Sequence, residues 1–372
     1  MTGTLGIVLF VVAILLVILI HEAAHFGVAK AFKIKVEEFF LGFGPKLWST
    51  RRGETEYGVK AFPLGGYVRI AGMNPYEEIS PEDYPRTYNA KPPWQRALVI
   101  VAGPATHFVI AFFLFAAAFA FVGSPTTKPT IDTVSQKING EPSPAALAGL
   151  QHGDVIVRIG DVENPTQEQV RDFLEKAKGK PVNLGILRGG TVRSVTITPV
   201  FDRDPKIHYY RIGVLFDDRL VHTGFVSSFT TAGSQEWQVS KATVLSLGRV
   251  FGPEGIGRVF DLLFGGAKRQ PTDVTGSVGV ARAAGDLASQ LGLGTLLFLL
   301  AGVNVFVGIL NLLPLPPFDG GHLAVVAWEK VRRRKVDMTK LVPLTMVVVV
   351  FLLVWFVSIT YLDIFKPLPI GP

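Results

Sequence analysis

Four stretches of this chain run for about twenty residues or more without a charged side chain: residues 1–20, 97–122, 291–315 and 341–362. Crossing a bilayer takes roughly 20 apolar residues at about 1.5 Å rise each, so each stretch predicts a transmembrane helix. Only 18% of the residues are charged and the mean hydropathy is +0.37. That balance excludes disorder and excludes a single soluble domain. A fifth apolar stretch, residues 243–266, carries Arg249, Glu254, Arg258 and Asp261. It reads as an amphipathic surface helix pair broken near Gly252 and Pro253. The first stretch lacks a basic leader and a small-residue cleavage site, so an uncleaved spanning helix is expected rather than a signal peptide.

The basic residues set the expected orientation. None precedes the first span, eleven fall between Lys30 and Arg96, six between residues 316 and 340, and one, Lys366, after the last span. The first and third loops are therefore expected on the cytoplasmic side. Both termini and the long middle region are then expected outside. The net charge of +7 is carried largely by those loops. The run Lys330, Arg332, Arg333, Arg334 and Lys335 predicts contact with lipid headgroups, not nucleic acid. With no cysteine in the chain, disulfides, thiol catalysis and cysteine-held metals are excluded.

Outside the spans, residues 45–70 alternate like three short strands (KLWST, TEYGVKAF and GGYVRI) with a turn at Arg51, Arg52 and Gly53. They predict a small membrane-associated β-sheet. Residues 130–198 read as strand, short helix, strand, helix and hairpin. With the segment SPAALAGLQHGDVIVRIGD, this order resembles a PDZ domain, which implies capture of extended peptide ends by strand addition.

His21-Glu22-Ala23-Ala24-His25 is an HExxH pattern. Residues four apart share a helix face, so both imidazoles can bind one zinc. Glu22 lies slightly round the same turn, placed to accept a proton from the attacking water. Three ionisable groups inside an apolar helix each cost about 2.5–3.5 kcal/mol or more, which a purely structural role does not explain. A catalytic zinc usually takes three protein ligands. The candidates for the third are Asp319 and His322, in NLLPLPPFDGGH at the end of the third span. Spacing alone leaves both open.

Three blocks now carry a resemblance over nearly the whole chain: HEAAH in the first span, GPATH in the second and NLLPLPPFDGG after the third. With FGP, PLGGYVRIAGM and the PDZ-like region, the chain resembles the site-2 protease family of intramembrane zinc metalloproteases (peptidase family M50), in its bacterial RseP-like, single-PDZ branch. The resemblance implies Zn2+ held by His21, His25 and Asp319, with Glu22 as general base. It also implies Asn311 as a group that holds substrate or stabilises the oxyanion, and a β-hairpin region that receives substrate as an added strand. One departure stands out. Where the family pattern reads GPxxN, this chain has His107.

The expected architecture is an α-helical polytopic membrane protein with four transmembrane helices, a cytoplasmic-side β-hairpin or sheet and one extracytoplasmic PDZ-like α+β domain. Its parts are the first span with HExxH (1–31), the sheet and loop (32–96), the second span (97–122) and the PDZ-like domain (128–202). A post-PDZ region with amphipathic helices (203–290), the third span (291–315), a loop with the ligand Asp (316–340), the fourth span (341–362) and a tail (363–372) follow. The expected activity is zinc endopeptidase cleavage of transmembrane segments in single-span proteins, such as anti-sigma factors or remnant signal peptides, pre-cut by another protease. Peptide ends at the PDZ-like domain and membrane lipids are the other partners. The rival readings are a PDZ-bearing scaffold, which would not require Glu22, and a metal transporter, which would place ionisable groups on several spans. The fourth span has none.

Overall fold

The computed structural model describes residues 2–126, 128–204, 209–217, 219–222, 224–270 and 272–368. The end of the expected tail, from residue 369, lies outside them, as does the short stretch 205–208 of the expected post-PDZ region. The described helices are α1 (Thr2–Ala31), α2 (Pro93–Ala117), α3 (Pro144–Leu147), α4 (Gln167–Ala177), α5 (Phe225–Val250), α6 (Pro253–Leu263), α7 (Ser277–Leu291), α8 (Leu296–Asn311), α9 (Asp319–Arg332) and α10 (Val342–Phe365). The chain forms two compact units, Met1–Val122 with Gly224–Pro372, and Gly123–Thr223.

In the first unit, four helical segments are long and apolar enough to cross a membrane: Gly3–Ala31, Pro93–Val122, Leu293–Asn311 and Met338–Phe365. In α2, Pro93 sits in the first turn, where the missing N–H costs nothing. The third helix stops at Asn311 and not at residue 315, as the apolar run alone suggests. Pro314, Pro316 and Pro317 follow, and none of them can donate the next helical hydrogen bond. The expected loop 316–340 is largely helical instead. α9 restarts at Asp319, and Gly320 and Gly321 make that restart sterically feasible. A Cβ at Gly320 would lie 2.3 Å from the Leu312 carbonyl oxygen, and one at Gly321 would lie 2.6 Å from the Pro316 nitrogen.

The expected helix pair around Gly252 is found as α5 and α6, but α5 begins much earlier, at Phe225. At the far end of the unit, the buried Asp363 carboxylate of α10 accepts from the Gly276 and Gly279 backbone N–H groups at 2.9 Å each and from Arg269 at 2.8 Å. The last span is thereby tied to the start of α7.

The sheet between α1 and α2 is larger than three short strands. It consists of β1 (Val36–Arg52) and β2 (Thr55–Ile70). Each doubles back: Phe39, Phe40 and Leu41 are partnered on one side by Tyr57, Gly58 and Val59 and on the other by Val68, Tyr67 and Gly66. Gly42 and Gly44, at φ of 89° and 84°, supply the positive-φ positions that a bend inside β1 demands.

In the second unit, the strands Thr191–Ile197, Val182–Arg188, Val155–Ile159 and Val162–Glu163 form one sheet in that order, and Ile131–Val134 pairs with Val214–Phe216. Ile131, Ile156, Ile159, Val170, Leu184 and Ile186 fill its core. α4 starts with a full capping box, in which the Thr166 side chain and Gln169 satisfy each other's backbone N–H groups.

Candidate metal centre

α1 puts His21 and His25 one turn apart on one face, and the start of α9 brings Asp319 to them. The Nε2 atoms of the two histidines are 3.1 Å apart. Each lies 3.3 Å from Asp319 Oδ2. Both imidazoles are buried. His25 donates its Nδ1 proton to the Val99 carbonyl at 2.7 Å, which leaves a lone pair on Nε2. A ligand-binding imidazole is held in this way by a backbone carbonyl on its other nitrogen.

Three electron-rich atoms facing each other at 3.1–3.3 Å repel unless a proton or a metal cation lies among them. A tetrahedral zinc with bonds of about 2.0–2.1 Å places its ligand atoms about 3.3 Å apart. The donor set and spacing therefore fit zinc. Among the described residues this trio is the group of His and acidic side chains placed to share a metal ion. His322, the competing candidate, is outside it. One turn along α9 it lines a separate cavity with Met73, Pro316 and Met346.

α2 closes the site from the side. A Cβ on Gly103 would lie 2.2 Å from His25 Nε2 and 2.7 Å from His21 Cε1, so only glycine permits this approach. The helix is fixed to α9 by a buried ion pair, Arg96 Nη1 to Glu329 Oε2 at 2.7 Å, and Glu329 also accepts from the Val336 N–H at 2.8 Å. Glu22 faces β2, where a Cβ at Gly66 would come within 3.1 Å of its Cγ. Asn311 ends α8, half-buried, and among the described residues its side chain makes no hydrogen bond that would fix it elsewhere.

Sequence reasoning missed Asn304, Arg96 and Glu329. Asn304 is buried in α8 and meets His107 of α2 at 3.1 Å. Its signal was available, since an amide inside an apolar span is as costly as the histidine opposite it. The Arg96–Glu329 pair joins residues far apart in the chain and left no local pattern.

The model of peptidase family M50 matches residues 9–355. The zinc metalloprotease Rip1 of Mycobacterium tuberculosis is 32% identical over 410 residues, covering 98% of each chain. Rip1 of Mycolicibacterium smegmatis is 34% identical over 408 residues, again with 98% of each covered. The metalloprotease MmpA of Caulobacter vibrioides is 29% identical over 362 residues, covering 88% of this chain and 86% of its own. Among solved structures, the PDZ domain of an SdrC-like protein from Listeria innocua matches with 22% identity and a TM-score of 0.21, covering 27% of this chain and 99% of that one. The family match spans the metal site, the sheet beside it and all but the end of the last apolar helix. The chain belongs to peptidase family M50, the site-2 proteases, and is a membrane zinc metalloprotease acting on membrane-protein substrates.

Proposed function

We propose that this enzyme cuts peptide bonds within the transmembrane segments of single-span proteins, with zinc held by His21, His25 and Asp319. The observation that carries this reading is the meeting within 3.3 Å of a carboxylate oxygen from α9 and two imidazole nitrogens, the imidazoles carried by a helix apolar enough to span a bilayer. Bound there, zinc supplies Lewis acidity toward a water molecule and toward the scissile carbonyl. Glu22 takes the proton of the attacking water and returns it to the leaving amine. Asn311 donates its amide N–H to the oxyanion as it develops.

A substrate helix must unwind before its carbonyls are open to attack. The stretch of β2 from Gly66 to Val68 is paired along one side with β1 and runs past Glu22. An extended substrate added on its free side would regain the backbone hydrogen bonds lost on unwinding.

The zinc lies, on this reading, in the cytoplasmic third of a bacterial plasma membrane, a depth supported by the sixteen residues, or about 24 Å of helix, between Leu5 and His21. On this reading both termini and the second unit are extracytoplasmic. That unit is PDZ-like and has a cavity of about 280 Å³ lined by Arg171, Leu174, Tyr210, Val214 and Phe216. There it selects among substrates already cut by another protease, such as anti-sigma factors or remnant signal peptides.

Wild type and Glu22→Gln expressed in one host test the substrate reading by mass spectrometry of membrane fragments. Single-span fragments accumulating only with the variant support it; identical fragment sets contradict it. For sidedness, cysteines placed singly at Ser49 and at the exposed Ser194 of the second unit should react with impermeant reagents from opposite sides of the membrane. Labelling of both from one side would overturn the orientation.

A further inference from the structure

The two histidines of the metal site are not supported alike. His25 has the Val99 carbonyl for its Nδ1 proton. His21 Nδ1 is buried with no hydrogen-bond partner among the described residues. With Nε2 facing the metal position as a lone pair, that Nδ1 must carry a proton, and a buried donor left unsatisfied is destabilising. The ring beside it is His107, with centroids 5.0 Å apart and planes tilted by 46°.

The tautomer of His107 follows from Asn304. The Asn304 amide nitrogen donates to the Leu300 carbonyl at 2.8 Å, so its oxygen is the atom turned toward His107 Nδ1 at 3.1 Å. That oxygen can only accept. His107 Nδ1 is therefore the protonated nitrogen, and Nε2 of a neutral His107 is left as an acceptor. His107 is 2% exposed and Asn304 1%. An ordinary packing role explains their mutual hydrogen bond but not the unpaired donor on His21.

We propose that His107 is a positioning residue for His21: held in one tautomer by Asn304, it offers Nε2 to the His21 Nδ1 proton and so aims His21 Nε2 at the metal. The Val99 carbonyl serves His25 in that way. Here the two rings lie side by side without that hydrogen bond, and the proposed bond is the one that forms when His21 turns Nε2 to the metal, with His107 itself held where Gly308 lets α8 approach α2. A Cβ at Gly308 would lie 3.0 Å from His107 Cβ. This inference rests on His21 being a zinc ligand, as proposed above. Loss of such an outer hydrogen bond typically weakens metal binding 10–100-fold.

The test is zinc affinity of the full-length protein in detergent, by chelator competition, which needs no substrate. His107→Phe keeps a ring in place but cannot accept a hydrogen bond, and should weaken zinc binding 10–100-fold. His107→Gln restores an acceptor and should regain most of the loss. Asn304→Leu leaves His107 in place but frees its tautomer. It should weaken binding by itself and add nothing to His107→Phe, and it serves if the phenylalanine variant fails to fold. His21→Ala is the control. If His21→Ala retains zinc, the ligand assignment itself is wrong. If His21→Ala loses zinc while His107→Phe and Asn304→Leu bind within about threefold of wild type, only the positioning role is overturned. Equal weakening by His107→Phe and His107→Gln would reduce His107 to packing and overturn it as well.

Discussion

Gly103 of α2 passes so close to His25 of α1 that a methyl group on it would stand 2.2 Å from the Nε2 atom. The imidazole cannot swing away, because its Nδ1 is held by the Val99 carbonyl and its Nε2 faces Asp319. Gly103→Ala should therefore displace the ring or push α2 outward, and zinc content should fall well below one per chain. Metal analysis of the purified variant checks this. Full zinc occupancy would mean that the helices have freedom their contacts deny.

The choice of third ligand is decided by the same measurement. Asp319→Ala should lower zinc affinity at least 100-fold, since an anionic donor is lost from a three-ligand site. His322→Ala, which alters a separate cavity wall, should leave affinity within about threefold. The reverse pattern would exchange the two roles.

Arg96 and Glu329 join α2 to the helix that begins with Asp319, and both are more than nine-tenths buried. Removing one partner of such a pair strands the other charge, at a cost of about 3–5 kcal/mol. Glu329→Leu should lower the denaturation midpoint accordingly, and adding Arg96→Met should recover most of the loss. Equal damage from the single and double variants would show that the charge pair is not what matters.

In the second unit, burial tends to raise the Asp154 pKa. Hydrogen bonds from Arg188 and from the Gln151 N–H oppose that and win, holding the carboxylate below its ordinary range. A depressed carboxylate adds stability that is present above its unfolded pKa of about 3.9 and drains away as pH falls toward the folded value. Hydrogen-exchange protection of residues 155–188 in the intact protein, taken relative to the intrinsic rate at each pH, should fall below about pH 4. Asp154→Asn should be less protected at neutral pH and show a smaller acid response.

What the sequence made legible was local. The HExxH spacing placed two imidazoles on one face because helix geometry alone fixes residues four apart. The strand and helix order of the second unit followed from two-residue alternation and from Gly and Pro at its turns. The restart of the chain as α9 was hidden, because prolines, paired glycines and a basic run read as loop. In fact Gly320 and Gly321 are there to let a helix begin against the Leu312–Pro316 turn. The doubled sheet escaped for a related reason. Alternation marks where strands are but not which partners Phe39 to Leu41 take, and those partners lie up to about thirty residues away. Asn304 and the Arg96–Glu329 pair depend on contacts across the bundle that no window of sequence contains.

Holding the metal and moving the proton fall to different residues. Glu22 sits beside His21 in the chain but outside the trio that meets at 3.1–3.3 Å. The most direct measurement takes purified wild type and Glu22→Gln and determines, on the same samples, zinc per chain and cleavage of a reconstituted single-span substrate. Both should carry about one zinc, and the variant's cleavage rate should fall by at least the 10²–10⁴-fold typical of a lost general base. A Glu22→Gln enzyme that cuts at the wild-type rate, or one that loses its zinc, would contradict that division of roles.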